Sequence, residues 1–281
     1  MNSEKVSICI PVFNGKKYIT QAIDSALDQD YENIEVIVCD NCSTDGTWEL
    51  ALKYHNNDKV ILHRNKSNIG MYANFNHAAK IASGDFIKFL CADDTLAKSA
   101  VHKMVNMFHR DSRISVVKIY AHDINTEGAI ISSEKFRNSG IAKGKSLFKQ
   151  SMLTLSNKFL DSPSHLMFYK NDFLAINCFP TTDSYHGWGN DMVTFLQLSK
   201  NSLVGFIPEH LLHRRIHEAQ YTARIYSSFS LLFRANLNTI NMLKERKAIG
   251  PMTRCYLLSM ITLITPLAFL IKRLWRSKFK A

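Results

Sequence analysis

The chain has 281 residues, 46% hydrophobic and 21% charged, with only 11 Gly and 6 Pro. That length suits one large or two small domains needing no disulfide or zinc staple, and the composition excludes a disordered or fibrous chain. The formal net charge is +11, but nine basic residues and a single acid fall within 244–281, which leaves the preceding residues close to neutral. A basic stripe of nucleic-acid-binding type is therefore missing, no nucleic-acid partner is expected, and an anionic membrane face is the natural counterpart of the tail.

Met1-Asn2-Ser3-Glu4-Lys5 leads straight into a short apolar run instead of the long apolar core of a signal peptide. Cys9, Cys39, Cys42, Cys91, Cys178 and Cys255 contain one C-x-x-C and no second pair at zinc spacing, so buried thiols in a reducing compartment are expected. Residues 6–12 read as a strand, and Tyr18, Ile19, Ala22, Ile23, Ala26 and Leu27 recur at helical spacing. A second strand at 34–39 precedes a helix over 47–54 opened by the capping types Ser43, Thr44 and Asp45. Strands at 60–63, 85–90 and 115–120 then alternate with helices at 71–82 and 100–109. This rhythm predicts βαβ crossovers and a mainly parallel central sheet flanked by helices.

After Ala121 the rhythm breaks, and 122–165 reads as polar, glycine-punctuated and irregular. Strands are expected at 165–169 and 203–207, with a helix at 191–198 capped by Asn190. From about Thr222 onward the chain reads as helical. Residues 255–271 carry no charge but are short for a span and contain Pro266. A basic cluster with Trp275 and Phe279 follows, which reads as an interfacial anchor more than as a membrane span.

In an open parallel sheet, ligands sit beyond the carboxyl ends of the strands. Those ends carry Pro11-Val-Phe-Asn14, Asp40-Asn41 and Cys91-Ala-Asp-Asp94. Asp93 and Asp94 suit a hard divalent cation such as Mn²⁺ or Mg²⁺, although Asp94 could also cap a following helix. Asp40 is placed to accept hydrogen bonds from a base or ribose, although its segment could be a polar turn.

The ordered set Pro11-Val-Phe-Asn14, Asp40-Asn-x-Ser-Thr-Asp-Gly-Thr47, Asn68-x-Gly70, Gly84-Asp-Phe-Ile-x-Phe-Leu90 and Asp93-Asp94 resembles the nucleotide-sugar half of a family-2 inverting glycosyltransferase over residues 5–100. The resemblance implies a GT-A-like α/β fold, with residues 1–120 binding the donor, 121–221 the acceptor, and 222–281 forming a helical, basic, membrane-associating extension. Pro11, Val12, Phe13, Asn14, Asp40, Asn68, Asp93, Arg214 and His217 would hold the nucleotide sugar, and Asp93, Asp94 and His217 the metal.

Ser162-Pro-Ser-His-Leu-Met-Phe-Tyr-Lys170 is similar to the family's acceptor-side strand. Gly187-Trp-Gly-Asn-Asp191 falls where the family carries an acidic pair, so Asp191 is the implied catalytic base, with His186 and Trp188 beside it. Arg214-Arg-Ile-His217-x-x-Gln220 resembles the loop that closes over the diphosphate, and Arg215 could share that work. Cys91 and Asn190 stand where acids are common, which keeps open a non-catalytic subunit of a membrane-bound polysaccharide assembly complex. A sugar nucleotidyltransferase would share the layout but present a glycine-rich basic loop in place of Pro11-Val-Phe-Asn-Gly15. The implied partners are a nucleoside-diphosphate sugar, a saccharide or lipid-linked saccharide, and the cytoplasmic membrane face.

Overall fold

The computed structural model describes residues 4–154, 162–181, 190–218, 220 and seven positions between 237 and 257. β1 (Val6–Val12), β2 (Ile34–Asp40), β3 (Val60–Arg64) and β4 (Phe86–Phe89) run parallel in the order β3-β2-β1-β4. α1 (Ile19–Leu27), α2 (Thr47–Ala51) and α3 (Met71–Ile81) lie in the crossovers that parallel strands require. α1 packs because Ile19, Ala22, Ile23 and Ala26 share one buried face. Along β1 the pleat sends Val6, Ile8, Ile10 and Val12 into the core beneath α1, and Cys9 into the core beneath α3. A strand covered on both faces is a near-continuous apolar run, and this is how residues 6–12 read in the sequence.

β5 (Thr95–Leu96), α4 (Ala100–Phe108) and β6 (Ile114–Ile124) come next. Asp94 is thus followed by a strand, and α4 begins after Ser99, so Asp94 is not a helix cap. The stretch expected to be irregular contains β7 (Ile130–Ser133), β8 (Gly140–Lys143) and α5 (Gly144–Thr154). Then follow β9 (Leu166–Tyr169), α6 (Lys170–Ala175), α7 (Asn190–Ser199) and β10 (Leu203–Arg215). The sheet order is β3-β2-β1-β4-β9-β6-β10-β5, with β7 added to β6 and β8 to β10. Along that path only β9 and β5 run against the others, so the mainly parallel expectation holds.

β10 continues past its expected end at Ile207. Its register on β6 slips between Phe206 and His210, where Pro208 offers no N–H to the ladder. Beyond the bulge it pairs with β5 as well, His213 facing Thr95 and Leu212 facing Leu96. This pairing delivers the residues after Arg215 to the acids that precede β5.

Phe75, Phe89, Phe168, Phe173, Phe179 and Phe195 form a continuous ring cluster with centroids 5.0–5.9 Å apart. Such contacts contribute about 0.5–1.5 kcal/mol each beyond burial, and here they weld α3, β4, β9 and α7 together. Ile240 and Leu257 are helical positions buried in the same core. The rest of 222–281, including Trp275, Phe279 and nearly all of 255–271, lies outside the described residues. Among the described residues no helix is long and apolar enough to cross a membrane.

Candidate active site

The carboxyl ends of β1 and β2 are knitted into one floor. Asn14 takes a left-handed conformation (φ 52°) that Asn tolerates better than most residues. Its N–H donates to Ser43 Oγ at 2.8 Å, and its own Oδ1 accepts from Thr44 N at 2.9 Å. Gly15 N donates to Thr47 Oγ1, and Lys16 N to Asp45 Oδ2. A Cβ on Gly15 would sit 2.6 Å from Val12 Cγ2 and 3.6 Å from Ala92 Cβ, so the absence of a side chain there lets the β1 loop close against the loop after β4. Asp45 Oδ1 accepts from Thr47 N, while the N-cap position of α2 is taken by the left-handed Gly46. Pro11 and Val12 are buried and shape this floor from below, whereas the Phe13 ring is 48% exposed above it.

Asp40 is fully buried, accepts from Ser43 N at 3.1 Å and pairs with Arg64 Nε at 3.2 Å. Beside it runs a ladder of asparagines. Asn41 Nδ2 donates to Asn68 Oδ1 at 2.8 Å, Asn65 Nδ2 donates to Asn41 Oδ1 at 3.0 Å and to Asn74 Oδ1 at 2.8 Å, and Asn74 Nδ2 reaches Cys39 O. Asn68 also accepts from Gly70 N, so its side chain holds the β3–α3 turn on the floor. Arg64, Asn65 and Asn74 carry no motif of their own and were not foreseen.

The acids lie at the end of β4, next to this floor. One donor atom each of Cys91, Asp93 and Asp94 falls within 4.8 Å of the others. Burial, and then the charge of Asp93, push the Asp94 carboxyl up to about 7, against hydrogen bonds from Ser164 and the Arg215 amide. Burial followed by the same two aspartates raises the Cys91 thiol well above its ordinary value. Two carboxyl groups held this close repel each other when both are charged, so the site fits a hard divalent ion through Asp93 and Asp94; the protonated thiol is the poorest ligand of the three.

Beneath the acids, Ser164 Oγ accepts from Cys91 N at 2.9 Å and its carbonyl accepts from Lys88 Nζ. Lys88 is fully buried, and that burial lowers its ammonium to about 7.

The end of β10 completes the cluster. His217 Nε2 lies 3.0 Å from Asp93 Oδ2, and Gln220 Nε2 donates to the same oxygen at 3.4 Å. Arg215 is buried and immobilised: its amide donates to Asp94 Oδ1, and its guanidinium to the carbonyls of Asp93 and Asn125 and to Gln21 Oε1, over the Tyr18 ring at 4.4 Å. Arg214 engages Asp123 at 2.6 Å and Glu134 at 3.3 Å. Glu134 sits 3.3 Å from the buried His165; burial works against its charge, but His165, Lys118 and Arg214 together hold its carboxyl far below the ordinary range. Of the two arginines, Arg215 is thus a structural clamp and Arg214 part of an ion-pair network. Glu134 and Lys88 lay in no recognised pattern.

Asp191 lies in the first turn of α7, where its Oδ1 accepts from Met192 N at 2.7 Å. Asn190 is buried at the first position of α7, and its Nδ2 donates to Pro180 O. Phe179 exchanges two hydrogen bonds with Asn76 of α3, so α7 is tied back to the parallel half of the sheet through residues 179–180. His186 and Trp188 lie outside the described residues.

Residues 7–174 match the family described as glycosyl transferase family 2. An Escherichia coli relative, a UDP-Glc:α-D-GlcNAc-diphosphoundecaprenol β-1,3-glucosyltransferase, is 36% identical over 38% of this chain. That match covers 43% of the relative, and the chain likewise spans less than half of the bacterial chondroitin synthases it resembles. Staphylococcus aureus TarS 1-349 in complex with UDP-GlcNAc superposes with a TM-score of 0.70 at 19% identity, over 94% of this chain and 73% of that one. The mannosyltransferase PcManGT of Pyrobaculum calidifontis, in complex with GDP-Man and Mn²⁺, gives 0.62 at 16% identity, over 96% of this chain and 73% of its own. At those identities the structures speak to the fold, which is GT-A-like; the family match extends over more than half of the sequence, and the chain belongs to the family-2 glycosyltransferases.

Proposed function

We propose that the chain transfers a sugar from a UDP- or dTDP-linked donor to a hydroxyl of a saccharide or lipid-linked saccharide, with inversion, in the building of a cell-surface polysaccharide. The observation that carries this reading is the Asp93–Asp94–His217 cluster next to the floor made by Asn14, Asp40 and Asn41. The base would rest against Phe13, with Asp40 and the asparagine ladder fixing the floor beneath the ribose. Asp93 and Asp94 would hold Mn²⁺ or Mg²⁺, which when bound neutralises charge on the diphosphate. His217, already on Asp93, would donate to a phosphate oxygen as the leaving group gains charge. Arg214 adds positive potential close to Asp94.

Asp191 would accept the proton of the attacking hydroxyl, a role that needs the carboxylate within about 3 Å of it. Attack opposite the leaving diphosphate inverts the anomeric centre without a covalent enzyme intermediate. The glucosyltransferase relative acts on an undecaprenol-linked acceptor, which supports a lipid-linked acceptor and peripheral attachment of 222–281 on the cytoplasmic membrane face. In this division residues 1–221 form the catalytic unit. The test is nucleotide release from a panel of UDP-, dTDP- and GDP-sugars with and without Mn²⁺. Metal-dependent release from one donor supports transfer, whereas saturable binding without release would make the chain the non-catalytic assembly subunit.

A further inference from the structure

Between Gly128 and Gln150 the sequence holds a single acid, Glu134, and its carboxylate is turned inward onto Arg214 and His165. In the same stretch Lys135, Arg137, Lys143, Lys145 and Lys149 are all exposed. Interleaved with them are large apolar side chains left in solvent: Ile130 at 57%, Ile131 at 56%, Phe136 at 48% and Ile141 at 42%. All four residues of β7 are exposed, so this strand extends the sheet without covering core.

The segment is nevertheless ordered by the sheet beneath it. Glu134 N donates to Ala121 O, and Tyr120 Oη accepts from the amides of Arg137 and Asn138. The Phe136 ring leans on Tyr120 and His210 with centroids 5.1 and 4.6 Å away. Residues 130–143 therefore form a strap laid over β6 and β10, from β7 on one to β8 on the other. Its β7 end adjoins the active site. Ile130 pairs with Ile124, whose carbonyl accepts from the amide of Ile216, itself 41% exposed and flanked by Arg215 and His217.

Single exposed apolar residues are ordinary, but a cluster of them rimmed by one sign of charge marks an interaction surface. We propose that the strap and the start of α5 form a docking surface for an anionic lipid bilayer. The isoleucines and Phe136 enter the boundary between headgroups and acyl chains, and the five cations meet lipid phosphates. This surface goes beyond attachment through 222–281 and does not depend on sugar transfer. It sets the orientation of the molecule, because the bilayer would then lie beside His217, where an acceptor carried in the membrane must arrive. The hairpin turn carries one acid, Glu127, whose carboxylate folds back on Thr126.

The test is flotation of the intact chain with phosphatidylcholine vesicles, with and without phosphatidylglycerol. Two patch variants, Ile130→Ser/Ile131→Ser and Lys143→Glu/Lys145→Glu, are compared with Lys53→Glu/Lys80→Glu on the donor side, which makes the same charge change as the second of them. Both patch variants change only exposed positions, and an unchanged thermal midpoint verifies their fold. Binding to the anionic vesicles should fall about tenfold or more in each patch variant and stay near wild type in the control. Patch variants that bind like wild type would leave the C-terminal tail as the whole anchor and overturn the proposal. Indifference of the wild type to lipid charge, or failure to bind any vesicle, would overturn it too and turn the surface over to a protein partner. No sugar chemistry enters the readout, so its failure leaves the transferase reading intact, and the reverse.

Discussion

The parallel half of the sheet and the half built on β6, β9 and β10 hold their polar residues together in different ways. In the first, partners come from neighbouring βαβ units, as where Asp40 meets Ser43 and Arg64, or Asn14 meets Ser43 and Thr44. In the second, nearly every contact of consequence spans a large part of the chain: Arg215 reaches Gln21, and His217 reaches Asp93. The polar network is thus set locally in the parallel half, while the acidic cluster is assembled from a distance.

That contrast can be broken from either side. The largest effect is expected at Asp191. Asp191→Asn should reduce turnover by about 10²–10⁴-fold while nucleotide titration shows donor affinity preserved. Near-normal turnover would remove Asp191 as the base and with it the division of labour.

Glu35 is the opposite test, a buried carboxylate of the donor half with no part in the chemistry. Burial alone would raise it, but donors from Lys5, Ser7 and Ser83 hold it at about 2 against an ordinary 4.5. Its stabilisation is therefore fully present above pH 4.5 and is lost as pH falls toward 2. With part of the shift screened by solvent at the part-exposed Lys5, Glu35→Gln should cost about 2 kcal/mol at neutral pH and flatten that acid limb in denaturant titrations, leaving turnover per folded molecule unchanged. A loss of turnover without a loss of stability would refute the assignment.

Ser164 comes next, since it touches Cys91 and Asp94 from β9's side of the sheet. Ser164→Ala should weaken Mn²⁺ binding about ten- to a hundredfold, with Ser164→Thr restoring it, as measured by calorimetry. Equal affinities in all three proteins would show that the acids need no support from the far half. The smallest effect is expected at Phe13, where Phe13→Ala should weaken nucleotide binding about three- to tenfold and Phe13→Tyr should not.

The same contrast explains what could be read from the sequence. β1, β2 and β4 were legible almost to the residue because a strand buried on both faces is a short apolar run, and the part-exposed edge strand β3 was legible through Val60-Ile-Leu62; each crossover helix shows its own period. Asp93, Asp94 and His217 were legible through the order of short motifs. The length of β10 was hidden, because Pro208 and the polar Glu209-His210 interrupt the pattern at a bulge that only the partner strand reveals. β7 and β8 were hidden because strands added to an edge and left in solvent have no apolar face to alternate. Glu134, Lys88 and the clamping role of Arg215 owe their environments to residues far off in the chain, for which no local rule exists.

Arg215 also fixes an order of events during synthesis. Its guanidinium binds acceptors from α1, from the loop after β4 and from the β6–β7 turn, and its amide binds Asp94. The floor of Asn14, Asp40 and the asparagine ladder can form once β3 and α3 have left the ribosome, because its side-chain hydrogen bonds join residues up to α3. Asp93 and Asp94, by contrast, stay without their clamp until β10 emerges. A nascent chain can thereby take shape in its parallel half well before its acidic cluster is complete.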